Sequence, residues 1–223
     1  MRTEVRYRVT VPFRVDVAGA ELQMLVLAAQ PDGCVGIDLD SGAFVRAIYP
    51  VDSGEPLEAF DIATAPIGPR LDPPDIVRPE AVALAAAPER IGNLTLRRAE
   101  RYLQALRHPA QNPLLGFAAV SVPYWTLTGD RPSLALVEPT DGPLILAGPG
   151  GYECRFSWQG AVHQLPLGDH RLAAELIGLR RRRSSPRELT RILGYRPGRL
   201  LVVVAGPTIG TCTKEVAALL PGR

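Results

Sequence analysis

Four consecutive arginines, Arg180, Arg181, Arg182 and Arg183, form the densest charge in the chain, with Arg187 and Arg191 following one and two helical turns later. Such a run can neutralise several phosphates and release their counterions, so the chemistry expected of it is polyanion binding that weakens steeply with salt. The plainer reading is a solvated basic loop. Arg97, Arg98 and Arg101, with Arg107 and His108 behind them, form a second basic group able to extend such a surface. Tyr124, Trp125, Phe156 and Trp158 are candidate platforms for stacking single-stranded bases. Phe156 and Trp158 share strand parity and are read as facing a barrel interior, whereas Trp125, beside Pro123 and Gly129-Asp130, is the better exposed candidate.

Chemistry of other kinds has little to stand on. The chain contains no GxSxG, HExxH or P-loop sequence; Gly148-Pro149-Gly150-Gly151 lacks the lysine of a nucleotide loop and reads as a hairpin turn. His108, His163 and His170 are not spaced to share a helix face or to stand beside a cysteine pair, so metal ligation is not expected. Asp61, Asp130 and Asp169 would have to converge in space to make a magnesium-dependent nuclease, and as acids beside turns they read first as turn formers. Cys34, Cys154 and Cys212 are odd in number and widely spaced, which favours buried thiols over disulfides or zinc. The expectation is therefore a binding protein without catalytic residues, metal or cofactor.

Charge along the chain is segregated although its formal net value is only +2. Residues 16 to 75 carry a net charge of −9, Arg171 to Arg199 carry +7, and Arg90 to Arg107 set five arginines against Glu100. An acidic first third of this kind could instead pair with a basic partner, or with the arginine region of a second copy, which makes a protein-interaction module the main alternative. Lys214 is the single lysine among 25 basic residues, a bias that a GC-rich genome explains as readily as selection for bidentate phosphate recognition. No apolar run is long enough to cross a bilayer and the N-terminus lacks an apolar signal core, so a cytoplasmic, non-membrane protein is expected.

The elements that must position these residues are mostly short strands. With 22 prolines and 21 glycines in 223 residues, turns are frequent. Val5 to Val17 alternates strictly, interrupted by Pro12, and strands are predicted at Leu22–Ala29, Cys34–Leu39, Ala43–Tyr49 and Leu57–Ile67, with turns at 31–33, 40–42 and 52–54. The proline-rich residues 66 to 80 read as a surface crossing and a domain boundary. A helix is predicted over Leu94–Arg107, capped by Asn93 and burying Leu96, Ala99, Leu103 and Leu106. A second β-rich stretch runs through Gly116–Leu127, Ser133–Glu138, Leu144–Ala147, Tyr152–Trp158 and Ala161–Leu167. Leu172, Leu176 and Leu179 mark a short helix ending in the arginine block, and Ser185-Pro186-Arg187-Glu188 is a capping box for another, stopped by Gly194. Leu200–Ala205 has the near-pure apolar character of a central strand, while Glu215–Leu220 is compatible with strand or helix.

Three passages resemble the dual OB-containing domain family, which is associated with bacterial conflict systems. They are Leu27-Ala28-Ala29-Gln30 with Gly33-Cys34-Val35, Phe44-Val45-Arg46 and Pro50; Ser133 to Val137 with Arg155-Phe156-Ser157-Trp158-Gln159-Gly160 and Leu165 to Asp169; and Val202 to Gly206 with Gly210, Cys212 and Lys214 to Ala218. Ala47 stands where that family usually has proline, and Thr213 where it commonly has an aromatic residue. The passages span about residues 25 to 220. The resemblance implies a mainly β chain with short helices, folded as two OB-like small β-barrels packed together. Residues 1–80 would form the first barrel, 81–112 a helical connector, and 113–223 the second barrel with a basic helical insertion at 170–197. It also implies that Cys212–Leu220 is a closing strand. On this reading the partner is nucleic acid, single-stranded or RNA, or else an acidic protein. The candidate contacts are Arg46, Arg97, Arg98, Arg101, Trp125, Arg180, Arg181, Arg182, Arg183 and Lys214.

Overall fold

The structure is a computed structural model that describes residues 18–49, 56–106, 113–129 and 131–222. The alternating segment 5–17, Pro50, the turn at 52–54, Arg107, His108 and Asp130 lie outside the described residues. The chain is mainly β, with 45% strand and 17% helix.

The first sheet has six strands, β1 (Glu21–Gln30), β2 (Gly33–Asp38), β3 (Phe44–Ile48), β4 (Asp61–Pro66), β5 (Ala81–Ala83) and β6 (Glu89–Asn93), in the order β5-β3-β2-β1-β4-β6. The β1–β2 hairpin turns at Pro31-Asp32 into Gly33, whose φ of +152° and closeness to the Ala47 carbonyl leave no room for a β-carbon. The connector expected at 81–112 is shorter, because β5 pairs with β3 and β6 with β4. The proline-rich stretch 66–80 is accordingly no boundary; the chain returns from it to the same sheet. α1 (Leu96–Ala105) follows. Thr95, not Asn93, stands at its N-cap, and the Asn93 side chain instead donates to Asp61 at 3.1 Å.

The segment expected as one strand from Gly116 to Leu127 contains only β7 (Ser121–Pro123), set between 3-10 turns at Leu114–Gly116 and Tyr124–Thr126. Pro113 and Pro123 stand immediately before those turns and cannot donate to a ladder. Then come β8 (Leu134–Val137), β9 (Leu144–Gly148), β10 (Gly151–Trp158), β11 (Ala161–Pro166), α2 (His170–Gly178), β12 (Arg183–Ser184), α3 (Pro186–Leu193), β13 (Pro197–Val204) and β14 (Thr211–Pro221). They make two four-stranded sheets, ordered β11-β10-β9-β12 and β7-β14-β13-β8. Gly148 pairs with Gly151 across the expected hairpin turn. None of the three sheets closes on itself among the described residues.

The β8–β13–β14 sheet lies in the middle and is covered on both faces, which explains the apolar run at its centre. Leu200, Val202 and Val204 point into a core shared with Ile145, Phe156 and Leu165 of the β9–β10–β11 sheet. Leu201 and Val203, of opposite parity, point into a second core with Leu25, Leu27, Val35 and Ile37 of the first sheet and Ala99 and Leu103 of α1. Strand β14 shares both cores, so the segment left open between strand and helix is a strand. A third core covers the far face of the first sheet, around Met24, Val45 and Ala63.

Candidate nucleic-acid interface

The four-arginine block is the connection from α2 to α3, and its backbone is pinned residue by residue. Buried Leu172 and Leu176 anchor α2, and the Asp169 side chain accepts from Leu172 N at 2.9 Å to cap its start. At the other end, Arg180 N donates to Ile177 O at 2.9 Å and Arg181 N to Leu176 O at 3.0 Å. This is a Schellman turn with Arg180 at φ +51°, in the left-handed position where glycine is usual. The Tyr152 hydroxyl donates to Arg181 O at 2.7 Å, and Ala147 N donates to Arg182 O at 2.8 Å. Arg183 and Ser184 then pair with Leu146 and Ile145 of β9. The Ser185–Glu188 capping box expected from the sequence starts α3, with Pro186 at its first turn and Gly194 at φ +76° ending it.

The side chains of this loop face outward. Arg180 to Arg183, Arg187 and Arg191 are all exposed, and Arg187 and Arg191 lie four residues apart on α3. Arg181 pairs with Glu188 at 3.2 Å, an exposed pair that contributes little. Arg180, Arg182 and Arg183 make no ion pair among the described residues. Arg155 belongs to the same outer face: it pairs in register with Leu144, two residues along β9 from the Leu146 that faces Arg183. Sequence reasoning missed it, although the inward parity of Cys154 and Phe156 was the available signal. Glu153 shares that face and accepts from Gln164 at 2.6 Å.

Two sequence candidates are corrected by their burial. Arg46 is 2% exposed; its guanidinium donates to Val204 O at 3.1 Å, its Nε has no partner, and burial drives its pKa down to about 10. Lys214 is also 2% exposed, and its ammonium donates to Phe117 O at 2.7 Å and Leu114 O at 3.4 Å while lying 4.4 Å from the Phe117 ring centroid. Burial lowers its pKa to about 8. Neither side chain reaches a surface. Both sit on sheet faces that another layer covers: Arg46 shares parity with Phe44 at the core between the first sheet and the central sheet, and Lys214 stands between buried Cys212 and Val216.

Arg97, Arg98 and Arg101 are exposed on α1, with Arg101 over the Tyr102 ring. This helix packs on the first-sheet side of β13 and β14, whereas the arginine block belongs to the sheet beyond their other face, so the two basic groups occupy different layers. Trp125 is 68% exposed, edge-on to Tyr124 at 5.4 Å, and held against the β13–β14 turn by Tyr124 N donating to Gly210 O. It lies beside β7 and not beside β12. Phe156 and Trp158 are buried, packed around His163 with ring centroids 5.2 and 6.0 Å away, and burial lowers the His163 pKa.

Of the acids weighed for metal chemistry, the two among the described residues are committed elsewhere: Asp61 takes Arg90 at 3.0 Å and Asn93, and Asp169 caps α2. No group of three metal-binding side chains occurs among the described residues. All three cysteines are free and buried, and burial pushes the thiols of Cys34 and Cys154 up to about 12. Among the described residues no helix is long and apolar enough to cross a membrane. Compared with known proteins, the chain matches no family model, no curated protein and no solved structure.

Proposed function

We propose that this chain is a non-enzymatic nucleic-acid-binding protein whose phosphate contacts come from the α2–α3 loop. The observation that supports this reading is the loop itself: four adjacent arginines on a backbone fixed at every residue, with three of the four guanidiniums in no ion pair among the described residues. A fixed backbone lowers the ordering cost of binding, and guanidinium groups suit bidentate phosphate contacts. Arg155, Arg187 and Arg191 extend the surface. Arg97, Arg98 and Arg101 form a separate secondary patch, and exposed Trp125 is a stacking position away from it. In this reading the first sheet and the pair of later sheets correspond to two OB-like barrels, as the resemblance to dual OB-containing proteins implies, and the protein works in the cytoplasm.

The test is a salt titration of binding to single- and double-stranded oligonucleotides, DNA and RNA, by wild type and by the variant with Arg180 to Arg183 replaced by serine. Wild type should bind with log affinity falling about 0.7 to 0.9 per log salt for each phosphate neutralised, and the variant should lose about three of these contacts from the slope. Absence of salt-sensitive binding at low ionic strength sinks the proposal. Binding of polyglutamate in preference to every oligonucleotide would favour an acidic protein partner for the same loop.

A further inference from the structure

A cleft of about 800 Å³ opens between the first sheet and the surface made by β14, α2 and the end of α3. That volume is ample for a small organic ligand, and such sites favour the seams between structural units. We propose that this cleft binds an apolar organic cation, an amine or guanidine on a hydrophobic body.

The walls supply the apolar half of the recognition. Leu27 and Phe60 come from the first sheet and its β4 approach, Leu96 from α1, Ile192 from α3 and Leu220 from β14. Leu27 and Leu220 are fully buried and Phe60 nearly so, so they form the packed floor, and the apolar surface open to a ligand comes from half-buried Leu96, Ile192 and Leu193 and exposed Ala59.

The polar groups around the cleft are mostly acceptors. Glu58 and Glu175 set two carboxylates against the guanidinium of Arg171, with His170 beside it and Asp169 already engaged as the α2 cap. Arg171 already spans the mouth to Glu58 at 2.9 Å, but the two side chains are 64% and 61% exposed, so a ligand cation can displace this pair at small cost. Tyr195 donates its hydroxyl proton to Leu219 O at 2.7 Å, which leaves the phenolic oxygen able only to accept. α3 ends in the wall at Leu193 and contributes the negative end of its dipole, while the positive end of α2 is already capped by Asp169. Size, apolar lining and charge thus agree on a hydrophobic cation. The arginine loop takes no part in this site.

Three probes of nearly equal size separate the contributions: 2-phenylethylamine, 2-phenylethanol and 3-phenylpropanoate, each titrated into the full chain and followed by backbone-amide NMR. The amine should bind about fivefold or more tighter than the other two, with shifts centred on residues 57–60 and 217–221. The Glu58→Gln/Glu175→Gln double variant should weaken the amine roughly five- to tenfold and leave the alcohol unchanged. Ala29→Trp, placed on an exposed residue of the cleft wall, should abolish binding while the rest of the spectrum stays native-like. Equal or tighter binding of the carboxylate overturns the proposal, as do shifts centred elsewhere, amine binding that survives Ala29→Trp, or no binding of any probe at millimolar concentration.

Discussion

The same side chain meets opposite fates at Arg199 and at Arg180 to Arg183. Arg199 is completely buried, and each of its nitrogens has a partner: Nε on Glu138 at 3.1 Å, Nη2 on Glu100 at 2.7 Å and Nη1 on Pro221 O at 3.2 Å. It ties β13 to α1 and to the chain leaving β8. The block arginines are exposed; their backbones are held, and of their side chains only Arg181 has an ion pair among the described residues, with Glu188. Removing a charge from water is costly unless partners replace the water, so a buried arginine records a network, whereas an exposed one on a fixed backbone is left available to a ligand. Arginine content alone therefore points nowhere in this chain; the state of each guanidinium's partners distinguishes framework from surface.

Four substitutions test that contrast. Arg199→Met should have the largest effect on folding, lowering stability in urea by about 3 kcal/mol, because Glu100 and Glu138 lose the cation they share. A loss below about 1 kcal/mol would mean that this network is not what holds α1 to the central sheet. The fourfold serine replacement at Arg180 to Arg183 should do the reverse, leaving the urea midpoint almost unchanged while lowering oligonucleotide affinity roughly a hundredfold at low salt. Ser185→Ala removes the cap of α3 and should cost about 1 kcal/mol, with increased amide exchange at the start of the helix. If the fixed backbone matters for binding, this variant should also weaken the oligonucleotide complex without changing any charge. Arg180→Gly should be neutral to stabilising by up to about 1 kcal/mol, since glycine accepts the left-handed position that arginine occupies under strain. Thermal melts of this variant separate the charge of Arg180 from its backbone strain.

Buried Lys214 extends the contrast to pH. Its pKa of about 8 in the fold lies below its ordinary value of 10.5, so above pH 8 the unfolded chain holds more protons at this site and stability should rise with pH. The thiols act in the opposite sense: burial raises Cys34, Cys154 and Cys212 in the fold, so from about pH 8, as thiols with an ordinary value of 9.0 begin to ionise in the unfolded chain, they offset part of this rise. The lysine is therefore read as the difference between wild type and Lys214→Met, whose urea midpoint should rise less, or fall more, between pH 8 and 9.

Local signals were legible in the sequence where neighbouring residues decide the outcome. The capping box at Ser185, the glycine stop at Gly194 and the strand hairpins around Gly33 and Gly148 depend on backbone chemistry within a few residues. What escaped depends on layers. Arg199 shares the parity of Leu201 and Val203, and Lys214 that of Cys212 and Val216, so each was marked as inward-facing once both faces of the sheet were known to be covered. Those coverings come from other layers, the first sheet and α1 for Arg199 and the β9–β10–β11 sheet for Lys214, and leave no trace within either strand. Strands β5 and β6 were missed because Ala81–Ala83 is only three residues long and Glu89–Asn93 is mostly exposed, so neither carries a clear hydrophobic alternation. The candidate site was legible as a run of arginines, but its rigidity was not, because Tyr152 and Ala147 are brought to it by a hairpin formed some thirty residues earlier.

The central position of β13 and β14 also limits how the chain can be divided. Their odd and even side chains complete two different cores, so cutting between the first sheet and the remainder would uncover Leu201, Val203 and Leu220 on one fragment and Leu25, Leu27 and Ile37 on the other. Neither piece would be a self-sufficient folding unit. The chain should melt in a single transition, and the amides of β13 should be among the last to exchange, because no partial opening can free that strand while either neighbouring layer remains folded.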